Sequence, residues 1–438
     1  MEPAIYCVAH CYNAPFPDSR LATLSLLELS QSGDKIVEVQ QVTFPQETLM
    51  PISQVINRSG TRLFSTAGIH GIASFPLAPD QKGKITGPAK CFPVHPEPFP
   101  TPYGVMPVDI ALDASEEHLF SCNFLAGTVS ALSLEKETGT LADPRSCKLQ
   151  HDGIPEKVRR LGPSEAAIEL GFPEGFPEDA SHPHGVACHP SGRWLVVCDL
   201  GTSRLSVFSL PLGESFQTGR PDFELQSHSA PGSNRHQYAG PRQIRFSDDG
   251  QFLFCVNELD HTVSSYRFDD ASGGLVPTGS PQVNIPSAWL EQNPPRPYVY
   301  NAQANYNSGI AVSPDGRHVY CSARGHDSVA GFLVEKDGSL TPTGQGWIPS
   351  GGRTPWSLTF YGDEFLLVAN QNADDPQARL PGGTEASPNR LAPPGREPGN
   401  LTVLKRDPED GSLHPTGALW EAPHVISVQV TPQSVLGS

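Results

Sequence analysis

The feature that most constrains the fold is a hairpin pattern that recurs six times along the 438-residue chain. Each copy reads as an alternating strand, a polar or glycine-containing turn and a second, apolar strand. The copies are PISQVINRSGTRLFSTAG (51–68), PVDIALDASEEHLFSCNF (107–124), PHGVACHPSGRWLVVCDL (183–200), PRQIRFSDDGQFLFCVNE (241–258), NSGIAVSPDGRHVYCSAR (307–324) and PWSLTFYGDEFLLVANQ (355–371). Five align without a gap, and the last is one residue shorter at its turn. The chain is therefore a repeat protein.

A third strand-like segment follows most copies, as in GTVSALSL, SRLSVFSL, HTVSSYRF, DSVAGFLV and NLTVLKRD. Several of these run into a closing phrase, GGLVPTG, GSLTPTG or GSLHPTG. Four short antiparallel strands per unit, repeated radially, are typical of a β-propeller blade. The pattern predicts an all-β protein with the β-propeller fold.

The two chain ends supply a further blade. AIYCVAHC and ATLSLLEL near the N-terminus lack a first strand, and HVISVQV near the C-terminus lacks a hairpin after it. Joining them closes the ring at seven blades and removes exposed sheet edges. We expect residues 1–438 to form one domain, with long Pro-, Gly- and Ser-rich insertions near 143–182, 211–239, 281–305 and 371–399.

Composition and charge exclude some classes of function. With 47 acidic and 30 basic residues the net charge is −17, which disfavours binding to nucleic acid. The sequence contains no run of 18 apolar residues, so we predict no membrane span, and no signal peptide is apparent. Nine cysteines, several of them inside strand-like runs, are better explained as buried free thiols than as disulfides. We expect a cytoplasmic protein, either monomeric or a weak homo-oligomer.

The repeat also locates a candidate site. The residue that opens the first strand of a copy and the residue that closes the second lie on the same face of the ring. The opening residues are Ile52, Val108, His184, Arg242, Ser308 and Trp356, and the closing residues are Gly68, Phe124, Leu200, Glu258, Arg324 and Gln371. Only His184, Arg242, Glu258 and Arg324 are ionisable, and they fall on three consecutive blades. We predict a functional pocket at one mouth of the channel.

Simpler explanations exist for these residues. An Arg–Glu pair at strand ends is commonly a structural ion pair, and a lone histidine is commonly structural. His182 and His184 have the spacing of two metal ligands on one strand face, but two nearby arginines would repel a cation. We therefore predict no metal and no other cofactor. Asp199, Asn123, Asn257 and Asn370 recur at one blade position, which indicates a structural role in turns.

The four ionisable residues suit chemistry at a carbonyl group. Two fixed guanidiniums can hold a carboxylate or stabilise an oxyanion or enolate, and a histidine or a glutamate can transfer a proton. Opening or closing a lactone requires these groups. Ser308, Trp356, Gln371 and His182 belong to the same rim, and we expect them to contact the substrate.

Three segments resemble a known family: HPHGVACHPSGRWLVVCDLGTSRLSVF, GPRQIRFSDDGQFLFCVNELDHTVSSY and SPDGRHVYCSARGHDSVAGFLVEKDGSLTPTG. They are similar to the lactonase family of seven-bladed propellers, which includes the cycloisomerase-type 6-phosphogluconolactonases and the carboxy-cis,cis-muconate lactonizing enzymes. The resemblance covers most of the chain and implies catalytic roles for His184, Arg242, Glu258 and Arg324. This sequence departs from the family pattern at Gln243, where histidine is usual, and at Ala323, where asparagine is usual.

The resulting hypothesis is a metal-independent lactone hydrolase or lactonizing cycloisomerase acting on a small molecule that carries a carboxylate or a lactone. One alternative is a propeller recruited to a secondary-metabolite pathway, where it catalyses a cyclisation or pericyclic step. Another is a non-enzymatic scaffold that binds partners through its rim. The insertions before the inner strands, together with Trp356, indicate a substrate larger or more apolar than a phosphorylated sugar acid.

Overall fold

Seven antiparallel sheets make up the structure, a computed structural model that describes residues 4–9, 22–44, 51–68, 71–97, 105–151, 181–227, 239–292, 306–372 and 398–431. Each sheet is one blade of a β-propeller, as the repeat predicts. Five blades have four strands, and two have a short fifth strand beside the third.

The strands are numbered in chain order. They are β1 (Ile5–Ala9), β2 (Thr23–Leu29), β3 (Ile36–Thr43), β4 (Gln54–Ile56), β5 (Arg62–Thr66), β6 (Ile72–Ala78), β7 (Lys84–Ile85), β8 (Lys90–Phe92), β9 (Pro107–Leu112), β10 (His118–Asn123), β11 (Thr128–Glu135), β12 (Thr140–Lys148), β13 (Pro183–Cys188), β14 (Trp194–Asp199), β15 (Arg204–Ser209), β16 (Phe223–Gln226), β17 (Pro241–Phe246), β18 (Phe252–Asn257), β19 (Thr262–Asp269), β20 (Gly274–Pro277), β21 (Gln282–Val283), β22 (Tyr306–Val312), β23 (His318–Arg324), β24 (Ser328–Val334), β25 (Leu340–Pro349), β26 (Arg353–Tyr361), β27 (Phe365–Asn372), β28 (Pro398–Arg406), β29 (Leu413–Pro423) and β30 (Val425–Val430). The short helices are α1 (Glu214–Thr218), α2 (Ser287–Gln292) and a 3-10 turn at Pro79–Gln81.

Blades are numbered from the first complete hairpin. Blade 1 holds β4–β8, blade 2 β9–β12, blade 3 β13–β16, blade 4 β17–β21, blade 5 β22–β25 and blade 6 β26–β29. Blade 7 joins the two chain ends, because β30 is its inner strand and β1, β2 and β3 follow outward. Ile5 lies opposite Val430 across that junction. The predicted closure of the ring by the terminal strands is confirmed.

The hydrophobic core lies between neighbouring blades. Val196 and Leu205 of blade 3 pack with Ile244 and Leu253 of blade 4, and all four are fully buried. The second strand of each hairpin is buried on both faces, because both are covered by adjacent blades. The recurring asparagines form hydrogen bonds at the ends of the strands, which agrees with the predicted structural role. For example, the side-chain amide of Asn257 donates to the hydroxyls of Thr262 and Ser264 at 2.8 Å each.

The inner strands of blades 2–6 share an irregularity that the sequence did not reveal. In each, the register against the second strand shifts by one residue near the start of the inner strand. The unpaired residues are Val108, His184, Arg242, Ser308 with Gly309, and Trp356. A β-bulge redirects the side chain of the extra residue. The opening positions that the repeat places on the rim of blades 2–6 are therefore bulge positions.

The predicted insertions are partly blade structure. Residues 143–148 belong to β12, residues 223–226 form β16, and 371–372 end β27, because these segments complete hydrogen bonding to the neighbouring strand. Two segments of the insertions form α1 and α2. Residues 152–180, 228–238, 293–305 and 373–397 lie outside the described ranges.

The cysteines and the helices of the described ranges bear on two predictions from the sequence, buried free thiols and the absence of a membrane span. Cys122, Cys188, Cys198, Cys255 and Cys321 lie in strands as free thiols, and all but Cys188 are buried. Burial raises the pKa of Cys122 and Cys198 well above the ordinary range of a thiol. Among the residues described, no helix combines the length and apolar character needed to cross a membrane.

Gly185 sets the contact between the inner strands of blades 3 and 4. A Cβ at this position would lie 2.6 Å from both the Arg242 carbonyl oxygen and the Cys198 sulfur. We expect Gly185→Ala to lower the free energy of unfolding by about 1–3 kcal/mol, measured by urea denaturation. Gly344→Ala is the matched control, since no atom lies within 4 Å of its added Cβ. Equal stability of both variants would contradict close packing at this contact.

Candidate functional site

The four ionisable residues of the rim lie on blades 3, 4 and 5. His184, Arg242, Glu258 and Arg324 are 7%, 2%, 4% and 7% exposed. His184 and Arg242 occupy bulges on β13 and β17, while Glu258 follows β18 and Arg324 ends β23. Burial of so many charge-bearing groups is unusual unless they are paired. The four form one buried polar site.

Glu258 lies between the two arginines. Its Oε2 is 2.7 Å from Arg242 Nε, and its Oε1 is 2.9 Å from Arg324 Nη2. The backbone also holds both guanidiniums, since Arg242 Nη1 donates to the Ser308 carbonyl at 3.1 Å and Arg324 Nη2 reaches the Asn307 carbonyl at 3.3 Å. These contacts fix the direction of both arginines before any ligand binds.

Trp356 lies against the same arginines. Its ring centroid is 4.7 Å from the guanidinium carbon of Arg324 and 5.5 Å from that of Arg242. Cation–π contacts of this kind contribute about 0.5–2 kcal/mol each, and more where water is excluded. One aromatic ring on blade 6 therefore braces guanidiniums from blades 4 and 5.

His184 differs from the other three residues. Its Nδ1 is buried and has no hydrogen-bond partner, and the edge of its ring meets Phe124, with centroids 5.6 Å apart. Burial, followed by the positive charges of Arg242 and Arg324, lowers the pKa of His184 well below the ordinary 6.5. The imidazole is neutral at physiological pH and keeps a nitrogen available to a ligand.

The residues expected to contact a substrate have different surroundings. The Ser308 hydroxyl donates to the Trp356 carbonyl at 2.9 Å, which gives it a partner within the protein. The half-buried ring of His182 stacks on Phe124 at 4.7 Å, and its Nδ1 is 3.0 Å from the Phe124 carbonyl oxygen. Gln371 is buried, and its backbone lies next to the ring of His424. Of this set, Trp356 has the clearest contact with the four central residues.

Two further residues belong to the site. Phe124 contacts both His182 and His184, and it occupied a closing position in the repeat, although its apolar type gave no sign of a role. Asn307 accepts from Arg324 through its carbonyl, and its backbone N–H donates to the Glu258 carbonyl at 3.4 Å. Its signal was available in the sequence, because all five other copies start with proline at the position that Asn307 occupies.

The charges favour an anionic ligand over a cation. Two guanidiniums and one carboxylate leave a net positive charge among the four central residues, since His184 is neutral. Within the described ranges, no three or more His, Cys, Asp and Glu side chains come together in a way that could hold a metal ion. The arrangement suits a negatively charged oxygen beside the arginines and a proton acceptor at His184.

Comparison with known proteins places the chain in a family. The model of the family described as "Lactonase, 7-bladed beta-propeller" matches residues 22–378. The 6-phosphogluconolactonase of Bacillus subtilis is 25% identical over 331 residues, which cover 75% of this chain and 74% of that protein. An uncharacterized protein of Staphylococcus epidermidis is 32% identical over 231 residues, covering 52% of this chain and 54% of that one.

Solved structures show the same fold. A putative 6-phosphogluconolactonase from Bacteroides fragilis superposes with a TM-score of 0.66 at 17% identity and covers 98% of both chains. The periplasmic gluconolactonase of Pseudomonas aeruginosa has a TM-score of 0.66 at 18% identity, covering 98% of this chain and 99% of that one. With its seven blades and a family match over most of its length, the chain belongs to the lactonase family of seven-bladed β-propellers.

Proposed function

We propose that this protein is a metal-independent lactonase that hydrolyses a small lactone to its hydroxy acid. The observation that carries the proposal is the buried pair of arginines held by Glu258 next to a neutral, unpartnered His184 nitrogen. Such an arrangement has the two parts that lactone hydrolysis needs, a fixed positive charge for an oxyanion and a base for water. The names of the relatives in the family support the hydrolytic direction.

The reaction balances without a cofactor. His184 takes a proton from water as the water oxygen attacks the lactone carbonyl carbon, and the negative charge that forms on the carbonyl oxygen is stabilised by Arg242 and Arg324. The ring C–O bond then breaks, and the imidazolium returns the proton to the departing alkoxide oxygen. The product is a hydroxy acid, whose new carboxyl group loses the second water proton to solvent. The resulting carboxylate remains next to the guanidiniums until it leaves.

His184 is a better candidate than Glu258 for proton transfer. Both oxygens of Glu258 face guanidinium nitrogens within 3 Å. Its role in this proposal is to hold the arginines at a fixed spacing, which reduces the reorganisation needed during the reaction. His184 Nδ1, in contrast, has no partner to displace. This assigns the base to blade 3 and the oxyanion groups to blades 4 and 5.

The substrate class follows from the lining of the site. Trp356 and Phe124 give it aromatic surface beside the charged residues. We propose a lactone with an apolar or aromatic part rather than a phosphorylated sugar lactone. The reverse, lactonizing reaction would use the same groups, so cyclisation by this site is the second candidate function.

Location in the cytoplasm stays a prediction, since one structural neighbour is named as periplasmic.

A panel of lactones tests the activity and the substrate class together. Proton release by the pure protein is measured on glucono-1,5-lactone, 6-phosphoglucono-1,5-lactone and dihydrocoumarin, each corrected for spontaneous hydrolysis without protein. We expect kcat/KM of about 10⁴ M⁻¹s⁻¹ or more on an apolar lactone and a lower value on the phosphorylated one. The highest value on 6-phosphoglucono-1,5-lactone would contradict the substrate class, and no release above the spontaneous rate with any lactone would contradict the activity.

The pH dependence follows from the state of His184. Its pKa is lowered well below 6.5, first by burial and then by the nearby arginines, so the ring stays a free base as the pH falls through 6.5. We expect kcat/KM to hold constant down to that pH and to fall only below it. The same group affects stability, because the unfolded chain binds the proton more readily. The neutral ring of His184 therefore contributes fully to the free energy of unfolding above about pH 6.5. This contribution is lost as the pH falls toward the pKa of His184 in the folded protein. A decline in kcat/KM that begins at or above pH 7 would contradict this assignment.

A further inference from the structure

A second cluster of ionisable residues is buried on blade 3, next to the candidate site. The side chain of His151, a residue that follows β12, is completely buried between two carboxylates. Its Nε2 is 2.9 Å from Asp199 Oδ2, and its Nδ1 contacts Glu224 Oε2. Glu224 in turn forms an ion pair with Arg204 through its other oxygen. The members come from the segment after β12 and from β14, β15 and β16.

The two contacts of His151 fix its charge. A neutral imidazole has one N–H donor and one lone pair, whereas the imidazolium donates from both nitrogens. Because each ring nitrogen faces a carboxylate oxygen, only the doubly protonated ring satisfies both contacts without placing a lone pair against an oxygen. The four side chains then carry two positive and two negative charges, so the buried cluster is balanced.

Asp199 connects this cluster to the strand that carries His184. Its Oδ2 also accepts from the Ser181 hydroxyl at 2.6 Å, and its Oδ1 accepts from the His182 backbone N–H at 2.8 Å. Although burial alone would raise the pKa of Asp199, the bonds from His151 and Ser181 outweigh it and hold the pKa below the ordinary value. Asp199 is therefore a fixed carboxylate, held by His151 on one side and holding residues 181–182 on the other.

The position of residues 181–182 decides where His184 lies. The Leu200 N–H donates to the His182 carbonyl at 3.1 Å, and Pro183 pairs with Asp199 across the hairpin. His184 follows as the bulge residue, so backbone pairing with β14 does not fix it directly. The side-chain bonds of Asp199 supply that restraint at the preceding residues.

We propose that His151 is a positioning residue, an imidazolium clamped between Asp199 and Glu224 that holds the start of β13 and thereby the ring of His184. The proposal rests on the proposed role of His184 as the base. It adds to the reaction a residue that touches neither the substrate nor the reacting atoms and acts through Asp199. The cluster on blade 3 therefore holds His184 of the candidate site in place and does not itself bind a ligand.

The test follows the ring of His184 in the absence of any substrate. Histidine-labelled protein is titrated by NMR as wild type, His151→Gln and His118→Gln, with the His184 signal assigned from its loss in His184→Gln. His118 is the matched control, because it also lies beside a carboxylate, Asp113 at 3.5 Å, but at the turn on the opposite face. With the clamp removed, we expect water to reach His184 and its pKa to rise toward 6.5 by about half a unit or more, with no change in His118→Gln.

Kinetics on the best lactone of the panel supply the second measurement. We expect His151→Gln to lower kcat by about 10–10²-fold while KM changes by less than about 3-fold, as for a misplaced catalytic group. If His151→Gln does not fold, Glu224→Gln serves in its place, since that side chain is 21% exposed and glutamine removes the negative charge that holds the imidazolium. An unchanged His184 titration in the folded variant overturns the proposal, and this holds even if no lactone is hydrolysed.

Discussion

Replacing His184 with glutamine is expected to lower kcat on the preferred lactone by about 10²–10⁴-fold, the contribution of a positioned general base. The reason is that His184 is the one member of the four central residues with a buried ring nitrogen lacking a partner and a pKa held below its ordinary value. Glutamine has a similar size and can still form hydrogen bonds, but it cannot accept the proton of the attacking water. Initial rates of proton release measure the loss.

His414→Gln is the control for this prediction. His414 is exposed on β29 of blade 6, away from blades 3–5, so its replacement should leave kcat unchanged. The two variants should also unfold at nearly the same denaturant concentration, since glutamine fills most of the space of the buried ring. A His184→Gln variant that keeps more than a tenth of the wild-type kcat would show that another group takes the proton.

Loss of either arginine is expected to have an effect of similar size. Arg324→Met should lower kcat/KM by about 10²–10³-fold, as the removal of one oxyanion donor does. Methionine retains much of the side-chain volume against Trp356 but no charge. The variant also leaves Glu258 with one guanidinium instead of two, and stability should fall because a buried ion pair has lost a partner, at a cost of about 3–5 kcal/mol. Urea denaturation and lactone hydrolysis are measured on the same preparation.

Arg324→Lys separates the two effects. Lysine keeps the positive charge for Glu258 but not the planar donor geometry, so we expect most of the stability to return and only part of the activity. Arg317→Met is the matched control, since Arg317 is exposed at a turn on the opposite face, where it bonds the carbonyls of Pro408 and Glu409. Activity in Arg324→Met equal to that of this control would contradict an oxyanion role for blade 5.

The repeat in the sequence was enough to predict the blade structure. Aligned copies placed His184, Arg242, Glu258 and Arg324 on one face, because the first two strands of every blade run in opposite directions and return to the same mouth. The closing of blade 7 by β30 and β1 followed from the incomplete hairpins at the two ends. These features depend on strand order and periodicity, which a sequence carries directly.

Other parts of the site depend on contacts that periodicity does not encode. The bulges that redirect His184 and Arg242 arise from one extra residue opposite the second strand, and the copies align without a gap at those points. The clamp on Asp199 needs His151, which lies 48 residues away and outside the aligned copies. For Asp199 the sequence predicts only a structural role in a turn, because it shares a blade position with three asparagines. The asparagine side chains do bond nearby residues of their own blades, whereas Asp199 also contacts His151.

The most direct test of the account is a crystal structure with the hydroxy acid product of the lactone that gives the highest kcat/KM. The account predicts that the product carboxylate lies within hydrogen-bonding distance of the guanidiniums of Arg242 and Arg324, and that its ring-derived hydroxyl lies next to His184 Nδ1. A product bound elsewhere on the propeller, or one whose carboxylate points away from both arginines, would contradict the proposed site.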